Sequence, residues 1–347
     1  MRLRTKTFLL ATFLFYCLIP QKTGAASNGS PPTKKESGRV ILIALDGVRW
    51  QDFFDVPGSR IREDDPEPQP FSAYHKVLLE RGVAFGNREQ GSRVRMTLSG
   101  FFSRRKSLPS YQAILAGFAQ PCADNACPRI AVETLPESVA RRRQLPAEKV
   151  AVIASWPGLA RAAARNPDGI HLDAGEPPNT EDPTAELVIR DDARTVEVAL
   201  NHLKKHSPEF LFVVLDSADH AGHEGDRLGY VEALRGYDAT LLRFLSAIEA
   251  MGPEEARRTT LIVTTDHGRG SWGNLWKIHG LIYNAQDVFI TATGPHIERP
   301  DGRNENARTL YHADLRPTIE ILLGLSPTEC THSTCGRAIK EIIPADR

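Results

Sequence analysis

Five short, uninterrupted runs of aliphatic and β-branched residues constrain the fold more than any other feature. They occupy residues 39–45, 150–154, 210–215, 260–264 and 288–292. Strands that are buried on both faces of a mainly parallel sheet have continuous apolar sequences of this length. Helical patterns at residues 185–206, 228–251 and 315–323 alternate with the runs or follow them. This alternation predicts a doubly wound α/β fold with helices on both faces of the sheet.

The same reading predicts a single catalytic domain over residues 39–347. Two stretches inside it, residues 52–91 and 157–182, are rich in proline and glycine. Because Pro and Gly interrupt regular secondary structure, we expect both stretches to be loop excursions rather than domains. The Gly and Pro residues are otherwise spread along the chain, and no internal repeat is visible.

Acidic residues end three of the predicted strands. Asp46 follows the first run, Asp216 the third and Asp266 the fourth. A single acid at a strand end is explained by capping of the turn or helix that follows. Three such acids indicate a ligand-binding site, because ligands of open α/β sheets bind outside the carboxyl ends of the strands.

Histidines accompany these acids in a pattern that is typical of metal ligands. Asp219 and His223 are four residues apart, so they share one face of a helical turn. Carboxylate oxygens and neutral imidazole nitrogens are the ligands that zinc takes in hydrolytic sites. The candidates are Asp46, Asp219, His223, Asp266, His267 and His279. Six ligands are too many for one four-coordinate ion, but they divide into two sites of three ligands each. The alternative is that the polar residues at the strand ends are a coincidence.

Ser107 lies two residues before Pro109, at the start of an apolar helical run. A serine here can be a simple N-cap, and a proline in the first turn agrees with that interpretation. The same position also presents a hydroxyl to an anion beside free backbone N–H groups. The basic residues 104–106 favour an anionic ligand, and metal coordination would make the hydroxyl a nucleophile.

The order of these motifs resembles the alkaline phosphatase superfamily over residues 39–325. The motifs are Asp46-Gly47, Ser107-x-Pro109, Asp219-x-x-Gly222-His223, Asp266-His267-Gly268 and His279-Gly280. The resemblance is closest to the nucleotide pyrophosphatase/phosphodiesterase-like branch and to related exported bacterial members. It implies an alkaline phosphatase-like fold and a zinc-dependent hydrolase of phosphoric esters, either a phosphodiesterase or a phosphomonoesterase.

The resemblance also implies roles for individual residues. Asp219, His223 and His279 would hold one zinc ion. Asp46, Asp266 and His267 would hold the other, with Ser107 bridging toward it as the nucleophile. Asn125 falls near an Asn that hydrogen-bonds a phosphoryl oxygen in that branch, although the match in spacing is loose. Serine stands here where the branch commonly has threonine.

Other activities stay open at this point. Sulfatases of the superfamily contain a Cys/Ser-x-Pro-x-Arg motif. This chain is similar to that motif from Ser107 onward, but Tyr111 stands at the arginine position. The histidine-rich ligand set also suits zinc better than the oxygen-only calcium site of sulfatases. A phosphonate hydrolase would reuse the same centre. A non-catalytic ligand-binding pseudoenzyme would lack a ligand or the nucleophile, and neither is missing.

The N-terminus predicts export to the periplasm or the medium. Residues 1–26 combine a basic start, an apolar run at 7–20 and small residues at 24–26, which is typical of a cleaved signal peptide. Residues 27–38 then form a polar linker. The apolar run is too short to span a membrane.

Charge and cysteine content agree with an exported enzyme. Without residues 1–26, 39 basic residues face 43 acidic ones, so we expect no nucleic-acid-binding face. The resemblance implies a small phosphorylated substrate. Four cysteines remain, for which three pairings are possible. Their spacing favours Cys122–Cys127 and Cys330–Cys335 disulfides in an oxidising compartment. The alternative is a zinc site, but these pairs lack its tight spacing and lie far apart in the chain.

Overall fold

A computed structural model describes residues 38–56, 69–100, 103–178, 186–271, 273–295, 297 and 308–344. The predicted signal peptide and nearly all of the predicted linker lie outside these residues. The strands are β1 Arg39–Leu45, β2 Gly82–Phe85, β3 Val94–Arg95, β4 Val150–Ala154, β5 His171–Ala174, β6 Phe210–Leu215, β7 Thr259–Thr264, β8 Asp287–Val288, β9 Ile290–Thr293 and β10 Leu310–Tyr311. The helices are α1 Trp50–Phe53, α2 Ser72–Arg81, α3 Ser107–Ala116, α4 Leu135–Arg143, α5 Ala160–Ala163, α6 Asp192–His206, α7 Ser217–Glu224, α8 Arg227–Ala250, α9 Pro253–Arg258 and α10 Leu315–Leu322.

A seven-stranded sheet with the order β2-β9-β7-β1-β6-β4-β5 forms the centre of the molecule. Strand β1 pairs in parallel with β6 and β7, and β4 pairs in parallel with β5 and β6. Strand β9 runs antiparallel to both β7 and β2. The predicted mainly parallel sheet is therefore confirmed, with one reversed strand among those described. Strands β10, β3 and β8 form a separate small sheet.

Strand β1 shows why the sheet needs helices on both faces. All seven of its residues are buried. Val40, Leu42 and Ala44 belong to one hydrophobic cluster with residues of α3, α4 and α10. The alternate residues of β1 pack in a second cluster with residues of α2, α6 and α8. Because successive strand side chains point to opposite faces, a continuous apolar run requires this double cover.

The strand that we predicted at residues 288–292 is two strands. Phe289 separates β8 from β9, which belong to different sheets. Its ring stacks on Phe53 with the ring centroids 4.0 Å apart. Hydrophobicity is continuous across the change of sheet, so the sequence pattern does not reveal it.

The two predicted loop excursions also need correction. Residues 52–91 contain α2 and β2, and residues 157–182 contain β5. Strand β5 is an edge strand whose first three residues are only half-buried, so its sequence lacks an apolar run. Helix α6 begins at Asp192 rather than at residue 185. Asp191 caps it by accepting hydrogen bonds from the N–H groups of Ala193 and Arg194.

Both cysteine pairs form as predicted. Cys122 pairs with Cys127 and Cys330 with Cys335, with Cα–Cα distances of 5.5 and 5.9 Å. Among the described residues, none of the helices combines the length and hydropathy needed to cross a bilayer.

Candidate metal centre

The register of the central strands brings their polar ends to one edge of the sheet. Leu45 of β1 pairs with Leu215 of β6, and Ala44 pairs with Thr264 of β7. The residues that follow these strands therefore lie side by side. Asp266 Oδ1 accepts a hydrogen bond from the N–H of Gly47 at 3.0 Å, which ties the two acidic turns together.

Asp46, Asp266 and His267 converge at this edge. A carboxylate or imidazole atom from each lies within 4.8 Å of the other two. His267 Nε2 is 3.6 Å from Asp46 Oδ1 and 3.4 Å from Asp266 Oδ2. The structure thus places together the three residues that the resemblance assigned to one ion.

Asp219, His223 and His279 form the adjacent half of the site. The first two come from consecutive turns of α7, and His223 Nε2 lies 3.2 Å from Asp219 Oδ2. His279 Nε2 lies 2.9 Å from His223 Nε2 and 3.9 Å from Asp219 Oδ1. His267 also reaches toward this half, because its Nε2 is 4.0 Å from Asp219 Oδ1. The ligand atoms of Asp219, His267 and His279 lie within 4.8 Å of one another, whereas the exposed His223 adjoins this group without belonging to it. The two predicted ligand sets are therefore neighbours, with His267 between them.

Burial shifts the pKa of four buried side chains at this edge. Burial and the neighbouring carboxylates raise the pKa of Asp46 well above its usual value, and that of Asp266 to about 7. Burial also lowers the pKa of His267 well below its usual value, and that of His279 to about 4. Both imidazoles are consequently neutral at pH 7 and can serve as ligands.

These residues fit divalent metal ions. Asp266 Oδ2 is buried and has no hydrogen-bond partner among the described residues. Clustered carboxylates repel one another in a buried site, and a divalent cation between them would offset this repulsion. Carboxylate oxygens together with neutral imidazole nitrogens match the ligand preference of zinc.

Ser107 lies at this site as the first residue of α3. The N-cap position of α3 is Lys106, so the simple N-cap interpretation of Ser107 is wrong. Its Oγ lies 3.5 Å from Asp46 Oδ1 and 3.4 Å from His267 Nε2. The hydroxyl thus faces the half of the site formed by Asp46, Asp266 and His267.

Asn125 lies beside helix α3, although its spacing from Ser107 matches the resembled branch only loosely. Its Oδ1 accepts a hydrogen bond from the N–H of Leu108 at 2.9 Å. Arg161 donates to the backbone oxygen of Asn125 at 2.8 Å, and the Cys122–Cys127 disulfide encloses the loop. The hydrogen bond from Leu108 to Oδ1 orients the amide group, so Nδ2 is the atom left to donate to a bound anion.

Sequence reasoning missed two buried residues of the site. Tyr111 donates its hydroxyl to Asp46 Oδ2 at 2.9 Å. Arg269 donates to Asp219 Oδ1. Burial raises the pKa of Asp219, but the charge of Arg269 and the contacts of three histidines together outweigh it and hold that pKa well below the usual value. Each residue follows a predicted motif closely in sequence, but only the long-range contact reveals its role.

Two further histidines, His220 and His312, lie outside both groups of candidate ligands. His312 is buried, and its Nδ1 lies 2.9 Å from Ser110 Oγ, which in turn donates to the backbone oxygen of Asp266. His220 is exposed and pairs with Glu224. The structure brings neither into the ligand clusters described above.

Residues 126–312 match the model of the metalloenzyme superfamily. The chain belongs to this superfamily. The match spans five of the six candidate ligands, all except Asp46. The predicted membership of the alkaline phosphatase superfamily is confirmed, while the nucleotide pyrophosphatase-like branch and the hydrolysis of esters stay predictions. No curated protein sequence matches this chain.

Solved structures show the same fold at low sequence identity. The phosphonate monoester hydrolase of Agrobacterium radiobacter is 15% identical, with a TM-score of 0.58 over 88% of this chain and 77% of that one. A putative sulfatase from Bacteroides thetaiotaomicron is 13% identical, with a TM-score of 0.57 over 88% and 74%. The lipoteichoic acid synthase LtaP from Listeria monocytogenes is 10% identical, with a TM-score of 0.54 over 88% and 75%.

Proposed function

We propose that this metalloenzyme is an exported, zinc-dependent hydrolase of phosphoric esters that uses Ser107 as its nucleophile. The observation that carries the proposal is the position of the Ser107 hydroxyl. It lies within 3.5 Å of both an Asp46 oxygen and the His267 imidazole nitrogen, at the N-terminus of a helix. A nucleophile beside two metal ligands is the arrangement that an activated serine requires.

The residues that would hold the two ions are those of the two halves. Asp46, Asp266 and His267 would bind one ion, and Asp219, His223 and His279 the other. Bound divalent ions supply Lewis acidity, which favours an ionised serine and offsets charge on the attacking and leaving oxygens. The histidine content of both halves supports zinc over magnesium or calcium.

The chain's own groups account for the bond changes. Ser107 Oγ forms a bond to phosphorus as the bond to the ester oxygen breaks, which gives a phosphoserine and releases the alcohol. The oxygen of a water molecule then forms a bond to phosphorus as the bond to Oγ breaks, which releases the phosphate product and returns a proton to the serine. Asn125 Nδ2 is placed to donate to a non-bridging oxygen, since its Oδ1 is held by the N–H of Leu108.

Tyr111 supports phosphate rather than sulfate esters as substrates. At the position where the sulfatase motif has an arginine, this chain has a tyrosine whose hydroxyl is engaged by Asp46. The motif therefore brings no guanidinium to this position. The predicted signal peptide and the two disulfides support export, and the acidic balance of the mature chain supports a small substrate rather than nucleic acid.

A substrate panel tests this proposal. The purified protein, loaded with zinc, is assayed with p-nitrophenyl phosphate, bis-p-nitrophenyl phosphate, p-nitrophenyl phenylphosphonate and p-nitrophenyl sulfate. We expect the highest kcat/KM for one of the two phosphate esters and loss of activity with a chelator. Highest activity on the sulfate or the phosphonate would assign the chain to the corresponding alternative. Two bound zinc ions without turnover of any ester would instead indicate a binding protein.

A further inference from the structure

Arg269 is a buried cation at the centre of the site that the proposed chemistry does not use. Only 1% of its surface is exposed. Its Nε donates to the backbone oxygen of Trp276 at 2.7 Å, and its Nη2 donates to that of Lys277 at 2.8 Å. Its Nη1 donates to Asp219 Oδ1. One guanidinium therefore joins helix α7 to the segment that ends at His279.

Two glycines of the motifs leave room for this guanidinium. A Cβ at Gly222 would lie 2.5 Å from Arg269 Cζ, which is closer than Cβ atoms normally approach, so the guanidinium would have to shift. A Cβ at Gly47 would lie 3.0 Å from Nη1 of the same residue. The glycine between Asp219 and His223 is thus explained by the arginine that packs on the helix. The site is shaped around Arg269 as much as around its candidate metal ligands.

We propose that Arg269 is a positioning residue for the half of the centre formed by Asp219, His223 and His279. By occupying Asp219 Oδ1, it leaves Oδ2 toward His223, which lies 3.2 Å away. By holding the carbonyls of Trp276 and Lys277, it fixes the backbone just before His279. The inference rests on the proposed assignment of these three residues as metal ligands.

The geometry of the side chain is central to this role, rather than its charge alone. A guanidinium presents donors in a rigid fork that can join three acceptors on different segments, whereas an ammonium is a single point. An electrostatic role and a positioning role of Arg269 predict opposite effects of its removal on metal binding. A buried cation beside a metal site repels the metal, so removal of a merely electrostatic arginine would tighten binding. Removal of a positioning arginine would weaken it.

The test compares zinc binding in Arg269→Lys and Arg269→Met with the wild type. Zinc content is measured by mass spectrometry of the purified proteins, and affinity by competition with chelators. We expect both variants to keep one tightly bound zinc and to bind the second at least 10-fold more weakly. Arg269→Lys should regain part of its kcat in excess zinc. The charge-preserving variant is decisive, because lysine cannot span the three acceptors.

Arg190→Lys is the matched control. Arg190 is also a buried arginine, with a fork that joins Thr195, Asp173 and the backbone oxygen of Ala154. It makes no described contact with the six candidate ligands, so its variant should bind two zinc ions with wild-type affinity. If it loses the second zinc as strongly as Arg269→Lys does, the effect is general destabilisation and the proposal is overturned.

Gly222→Ala provides a second route if the arginine variants do not fold. It keeps every candidate ligand and Arg269 itself but displaces the guanidinium. We expect the same selective loss of the second zinc. Unchanged or tighter binding of that zinc in Arg269→Met and Gly222→Ala overturns the inference, while ester hydrolysis by the wild type leaves the proposed function standing. A wild type that binds fewer than two zinc ions would contradict both.

Discussion

Tyr111 fixes the orientation of the Asp46 carboxylate. Its hydroxyl donates to Oδ2 at 2.9 Å, and both side chains are buried. Burial, together with the nearby carboxylates, raises the pKa of Tyr111 well above its usual value, so the hydroxyl keeps its proton and remains a donor. Asp46 Oδ1 consequently faces Ser107 at 3.5 Å and His267 at 3.6 Å. The tyrosine thereby determines that Oδ1, and not Oδ2, faces Ser107 and His267.

Tyr111→Phe should reduce activity without unfolding the protein. Loss of the donor leaves Asp46 Oδ2 buried and unsatisfied, which costs on the order of 1–3 kcal/mol. We expect zinc at the Asp46 half to bind more weakly and kcat/KM to fall about 10-fold, as steady-state kinetics and chelator competition would measure. Tyr74→Phe is the control, because Tyr74 is buried and its hydroxyl contacts Thr291 away from the site. Equal kinetics in the two variants would contradict this role.

His279→Ala should remove one zinc ion and spare the other. His279 contacts His223 and Asp219, so its loss leaves that half with two candidate ligands. We expect about one zinc per chain and a loss of activity that excess zinc partly restores. His220→Ala is the control, because His220 lies on the same helix as Asp219 but is exposed. Two zinc ions bound at wild-type affinity would show that His279 is not a ligand.

Asn125→Asp should distinguish the role of the amide oxygen from that of the amide nitrogen. An aspartate oxygen still accepts from the N–H of Leu108, which keeps the loop in place, but a negative oxygen replaces Nδ2. Repulsion of the anionic substrate should lower kcat/KM on the order of 100-fold, with zinc content unchanged. Asn166→Asp is a suitable control, because Asn166 also accepts a backbone hydrogen bond but lies on an exposed turn. Wild-type kcat/KM in Asn125→Asp would exclude a contact between Nδ2 and the substrate.

The central sheet could be predicted because its strands carry their own pattern. Strands β1, β4, β6 and β7 are buried on both faces, so each is a continuous apolar run. Edge strands lack this property. Strand β5 is half-buried, and β2 is a short strand that begins with Gly82, so local sequence did not separate either from a loop.

Asp46, Asp266 and His267 were equally visible, because a ligand at a strand end needs only its own strand to place it. The four-residue spacing of Asp219 and His223 was visible as a helical pair. The residues that orient those ligands were not visible. Tyr111 in a helix and Arg269 after a glycine are ordinary residues locally. Their contacts with Asp46 and Asp219 span 65 and 50 residues of the chain. Such partners follow from the packing of α3 and α7 against the strand ends, which no short pattern encodes.

Ser107→Ala tests the identity of the nucleophile. Its Oγ lies near Asp46 Oδ1 and His267 Nε2, yet it makes no cap for α3, so its loss should leave the fold intact. The three residues of each proposed ligand set remain, and we expect two zinc ions per chain. Without the hydroxyl, no phosphoserine can form, and turnover should fall on the order of 10³-fold or more.

Ser138→Ala and Ser107→Thr complete this comparison. Ser138 is buried on α4, and its Oγ has no hydrogen-bond partner among the described residues, so its alanine variant should keep full activity. Ser107→Thr retains a hydroxyl at the same position and should retain measurable turnover, while Ser107→Ala should not. Mass spectrometry after rapid quenching should detect a phosphoryl group on Ser107 in the wild type and in Ser138→Ala, and none at position 107 of Ser107→Ala. If Ser107→Ala instead works within a few-fold of the wild type, the serine is not the attacking group, and water must attack the ester directly.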